Sequence, residues 1–396
     1  MITVIEIGAL GVIGFFLLYL AFLSILALLA RTRNDFHTTH RKAFAVVVPA
    51  HNEELVIGNT LRSLLAMDYR KALYDVIVIA DNCTDRTAAI ARDAGAIVYE
   101  RSDAQQKGKG YALRWCFDKI LLPPVRYDAV VVVDADSVVS PNFLLVMNHY
   151  LDQGAKVLQA SDIVQPQPGS WSPEVTRIAL MLFNYVRPLG GKLLGFSAGL
   201  RGNGMCFSSD VLRTIPWSAY SITEDLEYGI RLLQEGIRVE FAPEAAVYAR
   251  MPVLAKNAES QRARWESGRF DVIRTYAGKL LAIGVKKFSA RYIAMFIELV
   301  MPAFVNMMVV ATGFMFSTII LALLGSTEAK MFVVPWLVVV SFGILHVMVG
   351  LITAKADRAM YKAILYLPRY AVWKLFLYSK LLLRGLPVEW VRTNRK

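Results

Sequence analysis

From Phe44 the chain reads FAVVVPA, an apolar run that gives way at once to the polar HNEE of His51–Glu54. The pattern then repeats. LVIGNTLRSLLAMDY has helical periodicity, and YDVIVIADNCTDRT is again an apolar run ending in polar residues. TAAIARDAG reads as a helix, AIVYERSD as a short strand and GKGYALRWCFDKILL as a helix. AVVVVDADS, Ala129–Ser137, follows: five apolar residues in a row and then two acids one residue apart. A continuous apolar run of this length predicts a strand buried on both faces. Ser140 and Pro141 read as the N-cap and first residue of another helix. Strands alternating with helices predict an α/β domain with a mostly parallel sheet covered on both faces.

Three other stretches are apolar and uncharged for far longer: Ile7–Ala30, Leu299–Leu324 and Met331–Ala354. They raise the hydrophobic content to 56% of 396 residues. Each is long enough to cross a hydrocarbon core of ~30 Å as a helix. The first has Glu6 before it and no basic residue, so it reads as a retained anchor rather than a cleaved leader. Arg31, Arg33, Arg41 and Lys42 follow it and predict a cytoplasmic location for what comes next. Three crossings return the C-terminus to that side. Lys355–Lys396 holds ten Lys and Arg against two Asp and Glu, as this topology requires. The link Gly325–Lys330 would lie outside.

The net charge of +12 is concentrated partly in this tail. No nucleic-acid motif accompanies it, so anionic lipid headgroups are the expected partner. Lys362, Arg369, Lys380 and Arg384 fall close to one helical face, with Trp373, Phe376 and Leu377 elsewhere on the turns. They predict an interfacial helix with a kink or start at Pro368. Cys83, Cys116 and Cys206 show no paired or metal-type spacing and fit a reducing compartment. The NCT of Asn82–Thr84 matches a glycosylation acceptor pattern, but the topology places it inside the cell.

Ligands of open α/β sheets bind beyond the carboxyl ends of the strands. Asn52, Glu53 and Glu54 follow the first strand, Asp81 and Asp85 the second, and Asp134 and Asp136 the fourth. A dinucleotide fold would carry G-x-G-x-x-G where this chain has PAHNEE, and the Gly-Lys-Ser/Thr phosphate loop is also missing. A divalent cation, Mg²⁺ or Mn²⁺, is the natural alternative cradle for phosphates, because hard carboxylate oxygens and diphosphate oxygens hold it together. It would also let two like charges stand close. Solvated acids opening a turn are the ordinary alternative for a lone D-x-D. Lys107 and Lys109 in QKGKG lie beside two glycines and suit a phosphate or a sugar hydroxyl, with a solvated basic loop as the alternative.

VVVPAHNEE, ADNCTDRT, DADS, TED and QRARW occur in the order and spacing of membrane-bound family 2 glycosyltransferases. The chain resembles that family over roughly Phe44 to Arg269, and is similar to cellulose, hyaluronan and chitin-oligosaccharide synthases and to related single-sugar transferases. The resemblance implies a nucleotide-sugar domain of the GT-A type, and reaction with inversion at the anomeric carbon. It implies that His51, Asn52, Glu53 and Asp81 hold the nucleoside. Asp136 then coordinates the metal, with Asp134 near the ribose or the metal. Gly202 and Gly204, in GFSAGLRGNGMCF, fall in a loop on the acceptor side. Wording typical of polymer synthases is missing from that loop. Asp225 of TED is the implied general base, beside Glu224 in the first turn of a helix; acids also favour a helix N-terminus for dipole reasons. Gln261, Arg264 and Trp265 share one helical face. Arg264 and Gln261 suit the leaving diphosphate, and Trp265 suits an acceptor sugar ring. A helix lying on a membrane would explain the same residues, and the two readings are compatible.

The expected organisation is an N-terminal transmembrane anchor at 1–32, a cytoplasmic GT-A domain at 43–275, an interfacial segment with two transmembrane helices at 276–354, and a basic interfacial tail at 355–396. The expected activity is transfer of one sugar, from a UDP-linked donor, to a glycolipid or envelope polysaccharide acceptor at the cell membrane. Too few polar residues line the later spans for a sugar channel, so a separate exporter is expected. A processive synthase and an inactive membrane scaffold are the alternatives.

Overall fold

The computed structural model describes residues 2–367 and 369, except 34, 37, 39, 166–170 and 250–254; the side chains of 2, 171–173 and 255–265 are also outside it. The chain divides into two compact units. Among the described residues, one comprises those up to Ala30, 171–194 and those from Ile297 onward; the other comprises those from Arg31 to Gln165 and from Gly195 to Phe296. The expected stretch 43–275 is therefore interrupted, since 171–194 groups with the apolar helices, and it runs on to Phe296.

The second unit is built on an eight-stranded sheet. Its strands are β1 (Phe44–Ala50), β2 (Tyr74–Asp81), β3 (Ile97–Arg101), β4 (Ala129–Val132), β5 (Ser137–Val139), β6 (Val157–Val164), β7 (Met205–Ser208) and β8 (Val239–Ala249). Their order in space is β3-β2-β1-β4-β7-β6-β8-β5. β1, β2, β3 and β4 are mutually parallel, as the sequence predicts. β7 runs against both β4 and β6, and β5 against β8, so the complete sheet is mixed.

Residues of β1 and β4 enter both cores in strict alternation. Phe44, Val46, Val48, Val131 and Val133 pack on one face, and Ala45, Val47, Val130 and Val132 on the other. All nine are fully buried. Burying each Val side chain contributes about 1.5–3 kcal/mol, which is why these strands tolerate no polar residue until they leave the sheet. The helix expected from Ser140 begins at Phe143. Ser140 instead extends the sheet edge: its N–H donates to Ala246 O at 2.9 Å, and its Oγ accepts from Ala246 N at 3.1 Å.

Strand direction decides what gathers at one edge. The carboxyl ends of β1, β2, β3, β4 and β6 face the same way. β7 is antiparallel to β4, so the loop entering β7, which carries Gly202 and Gly204, reaches that edge too.

In the first unit, three helices are long and apolar enough to cross a membrane: Thr3–Leu29, Phe304–Leu323 and Thr327–Thr353. The middle one starts later than its apolar run because Pro302 lies in the break before it. Glu6 lies inside the first helix, not before it. Its carboxylate is buried and accepts from Thr318 Oγ1, at 2.9 Å, and from Trp336 Nε1. Leu17, Leu20, Met307, Ala311, Trp336 and Val339 pack together beside it. The interfacial helix expected in the basic tail lies outside the described residues beyond Arg369.

Candidate active site

The loops after β1 and β2 are bound to each other, which gives the polar HNEE segment a fixed shape. His51 Nδ1 lies 2.8 Å from Asp81 O. Asn52 adopts a left-handed φ of 57°, and its Oδ1 accepts from Thr84 N at 2.7 Å. Glu53 N donates to Thr87 Oγ1 at 2.7 Å, and Thr87 is in turn held by Asp85. Asp81 is buried, and its Oδ1 pairs with Arg101 at 2.7 Å. Arg101, the last residue of β3, is itself buried. Its guanidinium offsets the cost of burying the Asp81 charge.

At the centre of the edge stands Lys109, the first residue of the helix Lys109–Ile120. Its ammonium donates to Asp134 Oδ1 at 2.6 Å and to the carbonyl of Gly202 at 2.5 Å. The positive group beside the D-x-D acids is thus this lysine. Lys107, grouped with it on sequence, is exposed. Gly108 separates the two with a φ of 116°, so one lysine turns into the site and the other does not.

Glu224 and Asp225 open the helix Glu224–Gln234, as TED predicts. Gly202 has a φ of 79°, and a Cβ there would lie 3.3 Å from Asp225 Oδ2 and 3.8 Å from Lys109 Nζ. Lys109, Asp134, Gly202 and Asp225 therefore share one small volume. Burial pushes both Glu224 and Asp225 carboxyls above the ordinary carboxylate range, and the Lys109 charge opposes this. Repulsion from Asp225 raises Glu224 further. Gly204 differs from Gly202: a Cβ there would meet Ala160 Cβ at 2.9 Å and Val247 at 3.1 Å. Its missing side chain serves close packing within the sheet.

Several residues here carry no motif. Asp162 on β6 is pushed up to about 7 by burial and by repulsion from Asp134 and Asp136. Arg201 lies close enough to lower Asp162 and Asp225. Asn203 accepts from Asp134 N at 3.0 Å. The one visible signal was polar residues in an otherwise apolar strand, VLQASDIV, where Gln159, Ser161 and Asp162 interrupt β6. Gln261, Arg264 and Trp265 lie on the helix Ala255–Lys286, with side chains outside the described set.

Similarity to known proteins bears on this geometry. The family described as "Glycosyltransferase like family 2" matches residues 40–268. The probable glycosyltransferase YdaM of Bacillus subtilis is 25% identical over 61% of this chain and 59% of its own length. A beta-monoglucosyldiacylglycerol synthase of Nostoc sp. is 28% identical over 57% of this chain and 48% of its own. The chain thus spans about half the length of the curated relatives it matches. Among solved structures, the mannosyltransferase PcManGT of Pyrobaculum calidifontis, in complex with GDP-Man and Mn²⁺, covers 89% of this chain and 99% of its own. Its TM-score is 0.52 at 14% identity, a likeness of fold. The mixed sheet with its flanking helices is the GT-A fold. The family match covers more than half of the chain, including every acid gathered at the sheet edge, and the protein belongs to the family 2-like glycosyltransferases.

Proposed function

We propose that the protein is a membrane-anchored, inverting glycosyltransferase that moves a single sugar from a nucleoside-diphosphate sugar to a glycolipid or envelope-glycan acceptor. The observation carrying this reading is the position of Lys109 between Asp134 on the donor side and Gly202, with Asp225, on the acceptor side. Donor phosphates and an acceptor hydroxyl placed on either side of that lysine would meet. His51, Asn52, Glu53 and Asp81 line the nucleoside end in this reading.

The chemistry is a direct displacement. The Asp225 carboxylate takes the proton of the acceptor hydroxyl as its oxygen attacks the anomeric carbon. The bond from that carbon to the diphosphate oxygen breaks, and its electron pair leaves with the diphosphate. Entry and departure on opposite faces invert the configuration. Burial of Asp225 makes its ionised form a better base than a solvated aspartate. Burial and the Asp225 charge favour the protonated form of Glu224 beside it, and the Lys109 ammonium opposes this. Gln261 and Arg264 are assigned to the leaving group and Trp265 to the acceptor ring.

Asp134 and Asp136 offer hard oxygen donors suited to Mg²⁺ or Mn²⁺. Burial raises Asp162 first and the charges of Asp134 and Asp136 raise it further, and a cation would relieve the second of these. Among the described residues no three His, Cys, Asp or Glu side chains close around one point. Asp134 and Asp136 would hold such a cation together with the donor, and it would supply positive charge as the diphosphate departs.

The three apolar helices support a multi-pass location in the cell membrane, and the basic flank after the first supports a cytoplasmic catalytic unit. In this reading 1–32 anchors the chain and 355–396 lies on the cytoplasmic surface. The synthase of Nostoc named above supports a glycolipid acceptor. Transfer of one sugar is supported by the later spans, whose hydroxyls are used internally. Thr312 and Ser341 bond to carbonyls of their own helices, Thr318 to Glu6, and His346 to Ser24. A separate exporter then moves the product.

The test is a panel of UDP- and GDP-sugars with diacylglycerol and glycolipid acceptors, using the full chain in nanodiscs. One sugar added per acceptor, with inverted configuration, is expected, from UDP-linked donors first. Asp225→Asn should abolish transfer and keep donor binding within about tenfold. Normal turnover in this variant removes Asp225 from the mechanism, and a ladder of long polymer replaces single transfer with processive synthesis.

A further inference from the structure

We propose that Asn203 is a positioning residue: its side-chain amide holds the turn that presents Asp134 and Asp136 to the donor's cation. The proposal rests on the metal-bound donor reading given above.

The turn between β4 and β5 carries both acids and is closed by Ser137 N–H donating to Asp134 O at 3.1 Å. Two carboxylates on so short a turn repel each other, and the turn itself contributes one backbone bond to resist that. Lys109 pairs with the Asp134 carboxylate, and Asn203 holds the backbone of the turn. Its Oδ1 accepts from the backbone N–H of Asp134 at 3.0 Å. Its Nδ2 donates to Ser137 Oγ at 2.9 Å. That hydroxyl leans towards Asp136 Oδ1, 3.4 Å away. A single planar amide therefore holds the first and last residues of the turn at once, with Asp136 between them.

The chemistry of the side chain matters as much as its place. The two bonds need one acceptor and one donor a fixed distance apart, which is what a primary amide offers. A carboxylate of the same shape could accept from Asp134 N–H but would present no donor to Ser137. It would also add a negative charge behind two others. Asn203 and Ser137 are both buried, so water does not readily replace a lost partner, and an unpaired buried group is costly.

Asn203 is itself fixed from behind. Gln159 on β6, fully buried, donates from Nε2 to Asn203 O at 2.7 Å and accepts from Arg201 N at 2.9 Å. Gly204 N donates to Val132 O at 3.0 Å. The loop that carries Gly202 past Asp225 thus also supports the acids of the donor side. Groups that orient the ligands of a metal, without touching it, typically control its affinity by about 10- to 100-fold.

The experiment measures calorimetric binding of UDP and of GDP to the full chain in nanodiscs, with Mn²⁺ and separately with EDTA. Asn203→Ala and Asn203→Asp should lose about 10- to 100-fold in the Mn²⁺-dependent affinity. Both should keep the affinity in EDTA within about twofold of the parent. A general loosening of the fold would move both affinities together. Ser137→Ala removes the other end of the contact and should cost the same Mn²⁺-dependent affinity to a lesser degree, with the Asn203→Ala/Ser137→Ala pair less than additive. If Asn203→Ala does not accumulate as folded protein, Ser137→Ala carries the test alone. Asp136→Ala separates the two hypotheses. If the parent shows no Mn²⁺-dependent component, or if Asp136→Ala keeps it, the metal reading fails and the proposal with it. If Asp136→Ala loses the component while the Asn203 and Ser137 variants keep it within twofold, only the proposal is overturned.

Discussion

Replacing Gly202 by alanine isolates the closest approach in the site. The residue has a φ of 79°, and an L side chain in left-handed backbone costs about 1–2 kcal/mol. The added Cβ would also stand 3.3 Å from Asp225 Oδ2, so the carboxylate must yield by a few tenths of an ångström. Since a displacement of about 1 Å can cost about 100-fold in rate, we expect a loss of kcat of about tenfold. Gly95 provides the matched control. Its φ is 88°, and a Cβ there would meet nothing within 4 Å. Gly95→Ala should therefore carry the same backbone penalty, a fall in Tm of about 2–8 °C for a unit of this size, with kcat unchanged. The assay is steady-state transfer at saturating donor and acceptor, beside thermal unfolding of both variants. Full kcat in Gly202→Ala, or an equal loss in Gly95→Ala, would refute the placement of Asp225 against this loop.

Three other outcomes follow from the same geometry. Because Glu224 and Asp225 are raised above the ordinary carboxylate range, the transfer rate should climb with pH through their raised values. Stability should fall as pH rises from the ordinary carboxylate range to those raised values, since the unfolded acids ionise first; Lys109→Met, lacking the cation that lowers both, should move the rate profile to higher pH, and an unmoved profile would separate Lys109 from the pair. In the helical unit, Glu6→Ala removes the acceptor shared by Thr318 and Trp336 and should destabilise the spans by about 1–3 kcal/mol in detergent-mediated unfolding, while Glu6→Gln, which retains an acceptor, should lose less. A cysteine introduced at Thr327 should react with an impermeant reagent from outside intact cells, and one at Asn394 should not; labelling at 394 would overturn the proposed topology.

The elements of this protein were legible in its sequence because they are set by short-range pattern. Apolar runs such as Ala129–Val133 must leave water on both faces, and a parallel sheet between helices is what such runs make when helices alternate with them. The three long apolar helices were legible for the same reason, each being long and apolar enough to cross a membrane. Positions of the acids at strand ends were also local facts. What pattern could not show was convergence. Lys109 and Lys107 look alike in QKGKG, and only the left-handed turn at Gly108 sends one to Asp134 and leaves the other in solvent. Gly202 and Gly204 look alike too, yet one faces Asp225 and the other packs on Ala160 and Val247, because β7 enters the sheet antiparallel just beyond them. Glu6 reads as a flank of the first span, and only the neighbouring helices, with Thr318 and Trp336, make it an internal residue. Asn203, Gln159 and Arg101 have no motif at all. Their meaning comes from partners between 20 and 69 positions away in the chain. The sequence by itself determined which segments avoid water and where charge must emerge. The tertiary structure decided which of those charges meet, since that depends on strand order and direction, and these are settled by packing over the whole sheet.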